Sequence, residues 1–167
     1  MLLLGNALSL VGCAMMVAIG LVKKKDKILL YQCIQFGFMG LGNLVLGAVS
    51  GTVANLVGIA RNLVFARTRG SGWLKVLFIV LQVGMTALGW NGQIIEVLPI
   101  LATVLFVWFL DTKSDITFKG VNICCMVMWL VYDFCYGNYV AFTFDILTIV
   151  SSFIAIAGLM KQEKAPR

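Results

Sequence analysis

The chain alternates between long apolar runs and short polar interruptions, and this pattern predicts seven membrane-spanning helices. A helix of about 20 apolar residues is long enough to cross the hydrocarbon core of a bilayer. The predicted spans are residues 2–22, 28–49, 52–66, 73–90, 94–110, 120–136 and 139–160. Because these spans leave only tight connections, the sequence predicts an all-α polytopic membrane protein without a soluble domain.

The basic residues are distributed unevenly among the polar interruptions. Twelve of the 13 lysines and arginines lie in four interruptions that share one side of a seven-span topology, at residues 23–27, 67–75, 111–119 and 161–167. The turns at 50–51, 91–93 and 137–138 contain none. Since basic loops stay on the cytoplasmic side, we predict a multi-pass protein of the cell inner (plasma) membrane. Its N-terminus is predicted outside and its C-terminus in the cytoplasm.

The composition agrees with a membrane protein and narrows the possible chemistry. The chain is 61% hydrophobic and 12% charged, with a mean hydropathy of +1.00, which a soluble domain of this length cannot bury. It has no histidine, and its five cysteines do not form a metal-binding spacing. We therefore expect no metal site, no cofactor and no enzyme activity. The net charge of +6 lies in short loops, which favours lipid headgroups over nucleic acid as its partner.

The order of the spans predicts two three-helix repeats joined by one linking helix. The first and fifth spans enter from the same side, and a nearly loopless turn precedes the last span of each triplet. We predict a 3+1+3 parallel repeat about an axis along the membrane normal, which is the arrangement of SWEET-type transporters. The predicted units are residues 1–68, 69–92 and 93–161, followed by a cytoplasmic tail at 162–167.

Four ionisable residues lie inside the predicted spans, and two of them are predicted to interact. Arg61 is about 15 Å from Gly51 by helical rise, and Asp145 is about 12 Å from Gly137, so their depths are similar. A charge near the middle of a bilayer costs at least about 2.5 kcal/mol unless it has a partner or a wet cavity. The pair either lines a substrate path or fixes helix packing as a structural ion pair, and Arg61 can also extend to the interface.

The other two acids, Glu96 and Asp133, lie near the outer ends of their spans. We expect them to form an outer mouth that attracts cations, unless they are exposed interface carboxylates. Trp129 lies four residues before Asp133, and Phe142 three residues before Asp145, so each ring shares a helix face with a carboxylate. This pattern suits the binding of a flat polar or cationic solute, but rings at helical spacing also serve packing.

The spans also contain amide side chains, which are unusual in a bilayer. Asn55 and Asn62 of the third span are candidate substrate contacts. Amides in a membrane either line a polar path or form hydrogen bonds between helices. Both interpretations stay open for these two residues, as they do for Asn43, Gln82 and Asn122.

Several stretches resemble the YgjV family of bacterial inner-membrane proteins. They are residues 58–69 (GIARNLVFARTR), residues 96–100 (EVLPI) with Trp108, and residues 129–137 (WLVYDFCYG) with Asp145. The resemblance covers roughly residues 1 to 160 and departs from the expected pattern at Asp133, where a neutral amide is expected. The family is similar in topology to SWEET sugar carriers and PnuC vitamin carriers, which implies a small-solute carrier by analogy.

Two functions fit this sequence. The first is a small-solute transporter, in which two three-helix bundles rock about a midplane site containing Arg61 and Asp145 to give alternating access. The alternative is a non-transporting integral membrane protein, such as a subunit, a lipid-handling factor or a sensor. The expected partners are an unidentified polar or cationic solute and membrane lipids, and homo-oligomer formation stays open.

Overall fold

A computed structural model describes residues 1–20, 25–67, 72–90, 92–109, 112 and 114–163. Within these residues the chain forms seven α-helices and no strand, which confirms the all-α prediction. The helices are α1 (Leu2–Gly20), α2 (Lys25–Leu46), α3 (Val49–Arg67), α4 (Gly72–Leu88), α5 (Val97–Trp108), α6 (Asp115–Cys135) and α7 (Tyr139–Glu163). A 3₁₀ turn at Ile94–Glu96 leads into α5.

Each predicted span coincides with one of these helices, and the boundaries differ most at the start of α6. This helix begins at Asp115 instead of residue 120. Ser114 explains the difference, because its hydroxyl oxygen accepts a hydrogen bond from the Thr117 N–H at 3.2 Å and caps the new helix. Parts of the predicted basic connections lie outside the described residues, at 23–24, 68–71, 111, 113 and 164–167.

The helices pack mainly against their neighbours in sequence. α1, α2 and α3 form one triplet and α5, α6 and α7 another, with the middle helix of each in contact with both others. The triplets meet where α1 packs against α7 and where α3 packs against α5. α4 packs against both α3 and α5. The helices therefore form a closed ring in which α3 and α7 are not adjacent.

Polar side chains are buried as often as hydrophobic ones, which differs from the interior of a soluble protein. Among the described residues, 12 hydrophobic and 12 polar or charged side chains are buried. Large apolar side chains cover the outside, including Leu3, Trp73, Leu88 and Ile154. In lipid, apolar side chains gain little by moving inside, whereas polar groups must find partners within the protein. This distribution is that of a helical bundle in a bilayer.

The length and hydropathy of single helices identify fewer membrane spans than the sequence pattern predicts. Among the described residues, one apolar stretch is long enough to cross a bilayer, Tyr139–Gly158 in α7. Four shorter apolar helical stretches are Leu2–Met16, Leu30–Leu46, Gly72–Leu88 and Ile94–Trp108. Hydropathy over single helices therefore supports one crossing directly, and the polar interior is the stronger indication that the bundle lies in a membrane.

The turns before α3 and α7 have the same geometry at a constant offset of 90 residues, from Gly47 to Gly137. The two glycines have φ angles of 76° and 71°, in the left-handed region where a Cβ atom is disfavoured. After each glycine, the next N–H donates to the carbonyl five residues earlier, as in a Schellman motif. These bonds are both 2.8 Å long and join Ala48 to Asn43 and Asn138 to Asp133.

The start of the last helix in each triplet is bound by a residue from the other triplet. Asn6 of α1 accepts a hydrogen bond from the Val140 N–H at 3.1 Å and donates to the Gly137 carbonyl at 2.9 Å. Glu96 accepts the Ser50 N–H through Oε2 at 2.6 Å. The first N–H groups of a helix have no acceptor within it, so these side chains satisfy donors that lipid cannot. We call these two contacts the crossing tethers.

Candidate functional site

The structure brings together two of the predicted site acids, Asp133 on α6 and Asp145 on α7. Their side chains are 2% and 9% exposed, and their carboxyl groups are close enough to interact electrostatically. Asp133 lies near the end of α6 and Asp145 nearly two turns into α7. The short turn at Gly137 therefore folds one acid beside the other, and we call them the carboxyl pair.

Amide groups connect the carboxyl pair to α2. Asn138 donates through Nδ2 to Asp133 Oδ1 and to Asn43 Oδ1, with both distances 3.2 Å. Its own Oδ1 accepts the Ala141 N–H at 3.4 Å, as the side chain of a helix N-cap does. Asn43 and Asn138 are 0% exposed, so this hydrogen-bonded chain lies inside the bundle.

Three polar atoms on α1, α2 and α7 are buried and make no hydrogen bond within the described residues. They are Ser9 Oγ, Asn43 Nδ2 and Asp145 Oδ2. Ser9 lies against α2, since its Oγ is 2.6 Å from the position of a Cβ added at Gly42. A buried polar group without a partner costs about 1–3 kcal/mol. These atoms include both donors and acceptors, and Asn43 Nδ2 points towards α3, 2.7 Å from the position of a Cβ added at Gly51.

Arg61 has neutral partners in the structure. Its Nε and Nη2 atoms lie 3.5 Å from Asn62 Oδ1, and its guanidinium carbon lies 5.0 Å from the centroid of the Phe106 ring. Asn62 is oriented by α2, because its Nδ2 donates to Gln32 Oε1 at 3.0 Å. A guanidinium over an aromatic face gains about 0.5–2 kcal/mol. The cation is therefore stabilised by side chains of α3 and α5.

The predicted ion pair between Arg61 and Asp145 is wrong. Within the described residues Arg61 has no acidic partner, and Asp145 contacts Asp133 instead. By helical rise, Arg61 is about 18 Å from the start of α3, whereas Asp145 is about 9 Å from the start of α7. The two helices are also not adjacent in the ring. The two charges therefore differ in both depth and position around the bundle.

The expectation of an open acidic mouth at Glu96 and Asp133 is also wrong. Glu96 is 1% exposed, and its carboxylate accepts hydrogen bonds from the Ser50 N–H and the Tyr136 hydroxyl. Asp133 is buried in the carboxyl pair. Helical rise placed both acids near a helix end, but it gives no information on whether they point to solvent or into the bundle.

The other predicted site residues have defined neighbours. The rings of Trp129 and Tyr132 meet edge-on with centroids 5.7 Å apart, and Phe142 packs against Phe134 at 5.5 Å. Asn55 donates to the carbonyl of the residue four positions earlier at 2.8 Å. These contacts give each side chain a packing partner, and a direct role in solute binding stays a prediction.

Two buried residues that hold the site together were missed by sequence reasoning, Tyr132 and Asn138. The Tyr132 hydroxyl accepts the Gly51 N–H at 2.8 Å, and a Cβ added at Gly51 would lie 2.7 Å from the Tyr132 ring. The sequence carries no signal for this contact, which joins α6 to the start of α3. Asn138 does have a signal, because asparagine just before an apolar run is a typical helix N-cap.

Comparisons with known proteins agree with a bacterial membrane protein. The family model described as "Imp-YgjV: Bacterial inner membrane protein" matches residues 3–163. One curated relative, the inner membrane protein YgjV of Escherichia coli (strain K12), is 27% identical over 103 residues, which are 60% of this chain and 54% of the relative. The chain thus spans about half the length of this relative. No solved structure matches the chain.

Proposed function

The chain belongs to the Imp-YgjV family of bacterial inner membrane proteins, and we propose that it carries a small solute across that membrane. The observation that carries this proposal is the carboxyl pair, which lies buried in a bundle with an apolar exterior. Ionisable residues at membrane depth are costly and are functional candidates by default. A purely structural core would be expected to satisfy its polar atoms, whereas this one leaves four without partners among the described residues.

The proposed mechanism is alternating access between two three-helix bundles. The ring order supports a 3+1+3 parallel repeat, because the contact of α1 with α7 has its counterpart in the contact of α5 with α3. The matching turns at Gly47 and Gly137 support it further. The crossing tethers also correspond at the same offset, from Asn6 to Glu96 and from Ser50 to Val140.

The proposed solute is small and polar or cationic, and it binds beside the carboxyl pair. Asp133 and Asp145 provide the acidic groups, and Asp145 Oδ2 makes no hydrogen bond within the described residues. Trp129 and Phe142 are proposed as an adjacent aromatic wall. Arg61 and Asn62 belong to a separate polar group, which we propose lines the path on the other side of the membrane midplane.

The proposed orientation is supported by the distribution of basic residues and is tested by labelling. Single-cysteine variants at residues 92 and 115 are treated with a membrane-impermeant thiol reagent in intact spheroplasts. Because basic loops stay inside, the cysteine at residue 92 should react from outside, and the one at residue 115 should react after permeabilisation. Outside labelling at residue 115 would contradict the proposed topology.

The function is tested by a stabilisation screen of the purified protein against sugars, nucleosides, vitamins and amines. A ligand at 100 times its dissociation constant should add about 2.7 kcal/mol to the free energy of unfolding. The same ligand should accumulate in proteoliposomes, and Asp145→Asn should abolish accumulation. Ser151→Ala, which changes an exposed hydroxyl on the same helix, is the matched control. A ligand that stabilises the protein but does not accumulate would favour a sensor over a carrier.

A further inference from the structure

We propose that Arg61 binds a phosphate group where α3, α4 and α5 meet. The phosphate belongs to the headgroup of an anionic lipid or to a soluble phosphate ester, and these two sources are distinguished by experiment. The inference goes beyond the proposed function, because such a site is occupied whether or not the protein moves a solute across the membrane.

Arg61 occupies the face of α3 that packs against α4. Val57 of α3 and Phe78 of α4 belong to a buried apolar cluster, and Val64 of α3 packs against it. Arg61 follows Val57 by four residues and precedes Val64 by three, so all three lie on one helix face. The Arg61 guanidinium also lies over the Phe106 ring of α5. The cation is therefore placed at the junction of three helices.

The guanidinium of Arg61 lies close to the end of α5. Phe106 precedes Trp108, the last residue of α5, by about 3 Å of helical rise. Trp108 is 65% exposed, and Trp73 at the start of the adjacent helix α4 is 64% exposed. Exposed tryptophans are typical of the boundary between the hydrocarbon core and the headgroups. The guanidinium is therefore near the level at which lipid phosphate groups lie.

The guanidinium has more hydrogen-bond donors than its neighbours use. It carries five N–H groups, and its Nε and Nη2 atoms both lie 3.5 Å from one acceptor, Asn62 Oδ1. A well-formed N–H···O bond is shorter, at about 2.9 Å. Within the described residues, at most two of the five donors are therefore used, and these only weakly. The edge formed by Nη1 and Nη2 is a planar fork that fits two oxygens of a phosphate.

The neighbours of Arg61 fix its orientation without neutralising its charge. Asn62 is 4% exposed, and its Nδ2 donates to Gln32 Oε1 at 3.0 Å, so α2 fixes the position of its Oδ1. Phe106 covers the guanidinium at 5.0 Å. A donor that is already oriented loses less conformational entropy when a ligand binds.

Neither an acid nor a helix end neutralises Arg61 within the described part of the chain. Its contacts there are with Asn62 and Phe106, which are neutral. The C-terminus of a helix also attracts cations, but the Trp108 carbonyl at the end of α5 accepts a hydrogen bond from Lys75 Nζ at 3.3 Å. Arg61 is itself about 9 Å from the end of α3. A bound phosphate would supply the negative charge that these neighbours do not.

The corresponding position of the second triplet has no charge. At the offset of 90 residues, Arg61 corresponds to Ser151. Ser151 is exposed, and its hydroxyl donates to the Thr148 carbonyl within α7 at 2.9 Å. The repeated helix packing therefore does not require a cation at this position, which favours a binding role for Arg61 over a role in packing alone.

The site is tested by thermal unfolding of the full-length protein in a neutral detergent with added lipid or phosphate. Anionic phosphatidylglycerol should raise the Tm more than an equal amount of zwitterionic phosphatidylcholine if the phosphate belongs to a lipid. Phenyl phosphate should raise the Tm more than chloride at equal ionic strength if soluble esters bind. A specific rise with either additive supports the site and identifies the source of the phosphate. The absence of both rises would overturn the proposal.

Variants with matched charge changes show whether the specific rise depends on Arg61. Arg61→Gln should weaken the binding measured by titration of the active additive about tenfold, because it removes charge-assisted hydrogen bonds. Arg61→Lys keeps the charge but not the fork and should weaken binding about threefold. The control is Lys161→Gln, which removes an exposed positive charge from the last turn of α7 and should leave the binding unchanged.

Two results with these variants would contradict the site. Equal weakening in Arg61→Gln and Lys161→Gln would show a general attraction of anions to the basic end of the bundle. Unchanged binding in Arg61→Lys would show that the planar fork is not used, and this variant provides the test even where Arg61→Gln does not fold.

Discussion

The first N–H groups of α3 and of α7 are bound by side chains of different types. In α3, Ser50 and Gly51 donate their N–H groups to Glu96 and to the Tyr132 hydroxyl. In α7, the corresponding N–H groups of Val140 and Ala141 are accepted by the amides of Asn6 and Asn138. The geometry of the two helix starts is repeated, whereas the charge is not.

The buried polar residues near these helix starts show the opposite distribution of acids and amides. The triplet whose last helix is bound by an acid, Glu96, carries the amides Asn43 and Asn55. The triplet whose last helix is bound by an amide, Asn6, carries the acids of the carboxyl pair. The backbone geometry of the two triplets is therefore repeated, while acids and amides exchange places between them.

The largest difference is expected between truncation of the two crossing tethers. Glu96→Ala removes the acceptor of the buried Ser50 N–H, while the Tyr136 hydroxyl keeps Gln93 Oε1 as a partner, and this change should cost about 3 kcal/mol. Asn6→Ala removes a neutral helix-start contact of the Val140 N–H and should cost about 1 kcal/mol. Unfolding in mixed detergent micelles measures both. Equal losses would show that the acid and the amide contribute equally to the two helix starts.

A smaller loss of stability is expected from a substitution at Gly51, which packs against the Tyr132 ring. Gly51→Ala places a methyl group 2.7 Å from the Tyr132 ring, and overpacking of this kind should cost about 2 kcal/mol. At the offset of 90 residues, Gly51 corresponds to Ala141, and Tyr132 corresponds to Gly42. The second triplet thus has the larger residue at the helix start and the glycine opposite.

The control for this prediction is Gly84→Ala in α4, where a Cβ would meet no atom within 4 Å. This exchange in the middle of a helix should stabilise the protein by about 0.5–1 kcal/mol. Thermal unfolding of both variants provides the measurement. If Gly51→Ala were as stable as Gly84→Ala, Tyr132 would not be held against the start of α3.

Exchange of acid and amide at corresponding positions should change stability less. Asp145→Asn should alter the free energy of unfolding by less than about 1 kcal/mol, because replacing buried charges by neutral groups is often tolerated. Its new amide can donate to the carbonyl four residues earlier, as Asn55 does. Asn55→Asp loses that donor and should cost about 1.5 kcal/mol. Chemical denaturation distinguishes the two, and a larger loss for Asp145→Asn would break the correspondence.

The smallest expected quantity is the coupling between Arg61 and Asp145. Because the two side chains do not share a partner, the losses from Arg61→Ala and Asp145→Ala should add within about 0.5 kcal/mol. A double-mutant cycle on thermal stability measures the coupling. A coupling above 1.5 kcal/mol would restore the ion pair that the structure replaces with the Phe106 and Asp133 contacts.

Several levels of this structure were accessible from the sequence. The apolar runs predicted all seven helices, and the motifs around Arg61 and Glu96 predicted the YgjV family, which the family match confirms together with the inner membrane. These features are local, since each depends on the periodicity or the residue order of one segment. Gly137 was correctly predicted in a turn, whereas the first turn was predicted at residues 50–51 and lies at Gly47 and Ala48, because α3 already begins at Val49.

The site was only partly accessible, because its contacts join distant segments. Helical rise gives the depth of a residue but neither the order of helices around the ring nor the direction of a side chain. Glu96 was therefore expected in an open mouth although it binds the start of α3. Asp133 and Asp145 were each found as intramembrane acids, but their contact depends on the packing of α6 against α7.

The crossing tethers have a mechanical consequence. Both lie at the bundle end that carries the Gly47 and Gly137 turns, so each triplet is fastened there to its partner. α7 has 25 residues and is about 37 Å long, so a rotation of roughly 10° about its fastened end would displace its other end by about 6 Å. If the bundle opens by the proposed alternating access, the tethered end would act as the pivot and the far end of α7 would move most.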